Sequence, residues 1–122
     1  MSATATVEKS DVSAASDEMA GRIRAIFANR LEIVEKKMFG GVGFMLNGNM
    51  LVGTTAKGAL MARVAPDRVE EALARPGAAI MHMGDKPMKG FLSVTDQGIE
   101  TDDALADWIA YCETFVRTLP PK

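Results

Sequence analysis

The run Met38-Phe39-Gly40-Gly41-Val42-Gly43-Phe44-Met45-Leu46-Asn47-Gly48-Asn49-Met50-Leu51-Val52-Gly53-Thr54 decides the fold. Two short apolar segments, Val42 to Leu46 and Met50 to Thr54, flank Asn47-Gly48-Asn49, and Asn and Gly tolerate the positive φ that tight β-turns demand. The pair reads as a hairpin. Just upstream, residues 31 to 39 (LEIVEKKMF) alternate in polarity and include β-branched side chains, which favours another strand. Gly40-Gly41 bends or breaks the chain between them. Downstream, Thr55-Ala56-Lys57-Gly58 reads as a turn and Ala59 to Val64 as a further strand. The centre is thus an antiparallel meander in which neighbours in sequence pair in space.

Helical patterns flank this meander. Met19, Ile23, Ile26, Phe27 and Arg30 fall on one face at helical spacing, with Ser16 as the expected N-cap, Asp17 and Glu18 at the positive end of the helix dipole, and an end near Asn29 or Arg30. Before it, residues 1–15 hold too little apolar surface to offset the entropy of ordering and are expected to form a disordered tail, leaving residues 16–122 as one domain. After the meander, Pro66 suits the first turn of a short helix that stops before Pro76. Ala79 to Met83 and Gly90 to Thr95 are strand candidates around the polar loop Gly84 to Lys89. Thr101 caps a last helix whose apolar face is Leu105, Ile109, Cys112, Phe115, Val116 and Leu119, and Pro120-Pro121 ends it. The resulting class is α+β: an antiparallel sheet of about five strands with flanking helices, in the rough order α-β-β-β-β-α-β-β-α.

Composition agrees with a single soluble domain. The chain has 122 residues, 48% hydrophobic and 25% charged, a balance that supports a real core. The single cysteine, Cys112, has no internal disulfide partner and suits a reducing compartment. No basic start precedes an apolar run, and no stretch approaches the ~18 apolar residues of a membrane span, so a cytoplasmic location with no membrane contact is expected. Net charge is −2, which argues against a dedicated nucleic-acid binder. The charge is uneven, at −3 over residues 1–21, +5 over residues 22–90 and −4 over residues 91–122. A basic middle with Arg22, Arg24, Arg30, Lys36 and Lys37 leaves auxiliary nucleic-acid binding as an alternative.

The residues offer little catalytic chemistry. The one histidine, His82, has no spacing relation to Cys112 that makes a nucleophilic pair. Met81-His82-Met83 with nearby Met88 contains soft donors suited to Cu(I). A regular strand, however, sends Met81 and Met83 to one face and His82 to the other, which favours core packing with a surface histidine. Gly40-Gly41-Val42-Gly43 lacks the Lys-Ser/Thr and the strand-to-helix context of a phosphate loop. Glu100, Asp102, Asp103 and Asp107 read as a cap and a solvated helix face, not as a tuned acid–base pair. No enzyme activity, cofactor or metal is expected.

Met38-Phe39-Gly40-Gly41-Val42-Gly43-Phe44 resembles the N-terminal domain of the TfoX/Sxy competence regulators, which carry a Met-Phe-Gly-Gly motif before a short hairpin. Asn47-Gly48-Asn49-Met50, Lys86-Pro87-Met88-Lys89-Gly90-Phe91 and the ending from Leu105 to Lys122 are similar to later landmarks of that family, so the resemblance covers about residues 17–122. It implies an α+β fold like that of secretion chaperones, in which dimers are common, and it brings no catalytic residues. The family's full-length regulators have a second domain, and this sequence reads as a stand-alone N-terminal one. A bacterial, non-enzymatic regulatory or protein-interaction module is therefore expected, as a homodimer with an unidentified protein partner. A small-ligand-binding protein is the other alternative. The candidate partner-binding residues are Met38, Phe39, Gly40, Gly41, Gly43 and Phe44 in one loop region, and Lys86, Pro87, Met88, Lys89 and Gly90 in the other.

Overall fold

The computed structural model describes residues 13–122, excepting 29 and 39, with Met83 described by its backbone. The elements are α1 (Ala14–Phe27), β1 (Ile33–Met38), β2 (Gly41–Leu46), β3 (Asn49–Thr54), β4 (Leu60–Arg63), a 3₁₀ turn (Pro66–Arg68), α2 (Val69–Leu73), β5 (Ala78–Met83), β6 (Lys86–Val94), α3 (Asp96–Ile99) and α4 (Asp102–Val116). The fold is α+β, with six strands where about five are expected, six being the number that the expected order of elements contains. All strand pairings are antiparallel, in the order β1-β2-β3-β4-β6-β5. The meander supplies the first four strands. The chain then crosses through α2 to the far edge and returns as β6 beside β4.

The hairpin forms as the sequence dictates. Asn47 and Gly48 take φ of 56° and 81°, the backbone that a two-residue turn between right-twisted strands needs. The chain end docks on this turn, where the Lys122 amide donates to the Asn47 carbonyl at 2.8 Å and the buried Asn49 side chain donates to the Pro120 carbonyl at 3.0 Å.

Strand register sorts side chains onto two faces. Phe44, Val52, Ala62, Leu92 and Ile80 lie in one cross-strand row, and all but the edge residue Ile80 are essentially buried. Helices α1 and α4 close over this face through Ile23, Phe27, Leu105, Trp108, Ile109 and Cys112. The rings of Phe27 and Phe44 sit 5.7 Å apart within that core. The neighbouring row, Gly43, Gly53, Met61, Ser93 and Ala79, faces the other way.

Two local readings need correction, and one short helix is new. Ser13, not Ser16, caps α1, its side chain accepting from the Ser16 amide at 3.0 Å. Residue 16 is instead buried, its hydroxyl bonded to that of Thr54. Of the expected tail, residues 1–12 lie outside the described residues. Gly84 to Lys89 is not a loop: only Gly84 and Asp85 turn, with Gly84 at φ 63°, and Lys86 already starts β6. Proline is tolerated at position 87 because β6 has only β5 beside it there, β4 joining from Phe91 onward. Finally, residues 96–99 form a turn of helix with Gly98 inside it, a poor helix former. A Cβ on Gly98 would meet the Pro76 carbonyl, so close packing outweighs propensity.

Candidate functional site

Glycines on the face away from the helices make the site. A Cβ placed on Gly43 would lie 2.9 Å from Met38 Cε and 3.1 Å from Met50 Cε, and one on Gly53 would lie 3.0 Å from Met61 Cε. The absence of side chains at 43 and 53 therefore lets three methionines lie down over the sheet. Met81 and Met88 complete a cleft of about 430 Å³ with Phe91, His82, Thr54, Thr55 and Ala56. Among the described residues no charged side chain lines it.

Met81 and His82 border the same cleft although they are adjacent in sequence, which overturns the strict alternation expected of this strand. The cause is a register jump: Ile80 pairs with Leu92, whereas His82 pairs with Pro87. Three more residues are thereby accommodated on β6 than on β5, and Gly90 takes φ 81° within that excess. Such a bulge bends the strand and increases its twist locally. His82 stays exposed, and its Nδ1 lies 3.2 Å from the Ile80 carbonyl oxygen.

The two candidate segments meet here through Met38 and Met88, fifty residues apart in the chain. Lys86, Pro87 and Lys89 are exposed on the hairpin tip. Phe44 is 1% exposed and belongs to the core under the helices, so it presents nothing to a partner. Gly40 sits at φ 78°, and Gly41 packs so closely on Thr54 that a Cβ would run into its carbonyl. Gly43 is the floor of the cleft, and Gly90 is the pivot of the hairpin. Phe39 lies outside the described residues. Sequence reasoning notes Met81, His82 and Met88 as soft donors but sets Met81 and His82 on opposite strand faces, and it misses Met50 and Met61, which only the strand register brings to the same cleft.

Cys112 is fully buried, and desolvation pushes its thiol up to about 12, so it holds no nucleophilic thiolate at neutral pH. Among the described residues no three His, Cys, Asp or Glu side chains gather around one point. The arginines of the basic middle are engaged. Arg24 holds Glu35 through two bonds of 2.7 and 2.8 Å, Arg22 lies 3.4 Å from Asp102, and Arg30 holds Glu113 at 2.6 Å. Those bonds hold the carboxyls of Glu35 and Glu113 below the usual carboxylate value. Arg63 lies between the rings of Phe91 and Phe115, at 5.5 and 5.9 Å, and desolvation lowers its pKa.

The edges of the sheet differ. Glu35, Lys36 and Lys37 are exposed along β1, and such charges block strand addition. Ala78-Ala79-Ile80-Met81 of β5 carries no charge, and among the described residues no strand pairs with its outer side. No described helix is long and apolar enough to cross a membrane.

No curated protein and no solved structure matches the chain. The family model of the TfoX N-terminal domain does match, over residues 25–116, a span that runs from within α1 through β1 and the glycine motif to the end of α4. The chain therefore belongs to the TfoX N-terminal domain family.

Proposed function

We propose that the protein is a non-enzymatic regulatory or protein-interaction module that works as a homodimer, with its β5 edge against the same edge of a second copy and its hairpin tip presented to a protein partner. The observation that carries this reading is the contrast between the two sheet edges. A charged edge resists pairing, while an uncharged one offers backbone donors and acceptors to another strand. An isologous contact between β5 strands would extend the sheet across a two-fold axis. Lys86 and Lys89 flank this edge and supply the charge that selects a partner. The engaged arginines support the lesser role given to nucleic acid, since ion-paired guanidinium groups release few counterions on phosphate.

Hydrogen exchange at low and high protein concentration tests the reading. Amides of residues 78–81 are expected to exchange more slowly at near-millimolar than at micromolar concentration, while those of β1 stay unchanged. Equal exchange at both concentrations would refute it. The volume of the methionine cleft, which is within the range of small-molecule pockets, favours a second reading as a ligand-binding protein.

A further inference from the structure

The cleft holds an unusual set of donors. Five thioethers, from Met38, Met50, Met61, Met81 and Met88, line one cleft with the imidazole of the chain's only histidine, His82, and no carboxylate or ammonium is among the described lining residues. Hard cations take oxygen ligands, and zinc takes thiolate, imidazole or carboxylate. Neutral thioethers with an imidazole suit a soft monovalent ion. The imidazole is also oriented. A carbonyl oxygen only accepts, so the 3.2 Å contact between Nδ1 and the Ile80 carbonyl requires the proton on Nδ1, which leaves the Nε2 lone pair free in the neutral ring. Histidine ligands to metals are commonly held by such an outer hydrogen bond. The bulge adds a third feature, because a regular strand would turn Met81 and His82 to opposite faces.

We propose that this cleft is a Cu(I) site, with Nε2 of His82 and the thioether sulfurs of Met81, Met88 and Met38 as its ligands. Met81 and His82 come from β5, Met88 from the facing part of β6, and Met38 from β1 across the glycine floor. Unbranched methionine side chains have three rotatable bonds with which to turn onto an ion. Binding is simple coordination, with copper supplied and released as Cu(I). Cys112, the other soft donor, is buried under α4 in the helix-side core and takes no part. This inference does not rest on the homodimer, because the β5 side chains at issue face the cleft and not the outer edge.

The test is an anaerobic titration of the full chain with Cu(I) against bicinchoninate, on wild type, Cys112→Ser, His82→Ala and the triple variant M38L/M81L/M88L. Wild type and Cys112→Ser are expected to take one equivalent with the same affinity. His82→Ala should bind at least roughly tenfold more weakly, and the triple variant at least roughly a hundredfold. Leucine matches methionine in volume, so an unchanged urea midpoint identifies a folded variant. Should the triple variant unfold, Ag(I) added to wild type labelled at its methionine methyls gives the same answer. The resonances of Met38, Met81 and Met88 should shift while those of Met19 and Met45 do not. Failure to retain copper against the competitor, loss of binding in Cys112→Ser, full affinity in a folded triple variant, or shifts spread equally over Met19 and Met45 would each overturn the proposal.

Discussion

Adjacent glycines 40 and 41 meet two different demands. Gly40 supplies a left-handed backbone, and Gly41 supplies the space that the Thr54 carbonyl occupies. Next to them, the hydroxyl of Thr54 accepts from the Val42 amide at 2.9 Å and bonds to Ser16, so one buried polar group ties α1, β2 and β3 together. Gly41→Ala is expected to lower stability by more than about 2 kcal/mol, because backbone and not a flexible side chain must move. Ser16→Ala should cost about 1 kcal/mol, the usual worth of a hydrogen bond whose loss leaves a partner partly satisfied. Urea denaturation followed by circular dichroism checks both. That a bend was needed at 40–41 is legible in the sequence, whereas the neighbour at Gly41 is not, since it lies thirteen positions away across the hairpin. The fate of Phe44 is legible in principle. It alternates with Val42 and Leu46, and once that stripe faces the helices Phe44 must too.

Packing between elements explains why the arginines Arg22, Arg24 and Arg30 of the basic middle are ion-paired. Arg30 of the α1–β1 connection, Glu32 and the α4 residue Glu113 form a network with Arg117, and the Glu113 side chain is only 15% exposed. Hydrogen bonding to Arg30 keeps its folded pKa below the ordinary 4.5. The stabilisation it gives is thus complete above about pH 5 and is lost as pH falls through the depressed folded value. Glu113→Gln should cost about 2 kcal/mol at pH 7, and its difference from wild type should shrink as pH drops below 4.5. Urea midpoints measured from pH 3 to pH 7 check the sign. On the other side of the sheet, replacing exposed Lys86 and Lys89 together by glutamate should leave the melting temperature nearly unchanged. It should weaken capture of the partner at least roughly tenfold, about 1.4 kcal/mol. Equal capture by the folded double variant would take the hairpin tip out of the recognition surface. Sequence reading mistook this tip for a loop because lysine and proline dominate it. Proline sits where the second neighbouring strand is missing, a fact that only the topology reveals.

For the whole molecule, the order of elements and the antiparallel meander follow from turn chemistry and periodicity, so most of the architecture is legible along the chain. The site is not. Its methionines are spread from position 38 to position 88, and they converge through glycine floors, a register jump and a crossover to the far edge. Each of those is a long-range relation that no local window contains. The same topology leaves β5, with its uncharged backbone, as an outer strand beside that cleft, and the proposed dimer depends on this edge. Sedimentation equilibrium of the wild type beside Ala79→Lys tests it most directly, since residue 79 is exposed on β5 and a lysine there blocks strand addition without touching the core. The wild type is expected at twice its 13.1 kDa mass at near-millimolar concentration, and the variant at the monomer mass with an unchanged urea midpoint. A wild type that stays monomeric, or a folded variant that remains dimeric, would contradict the account.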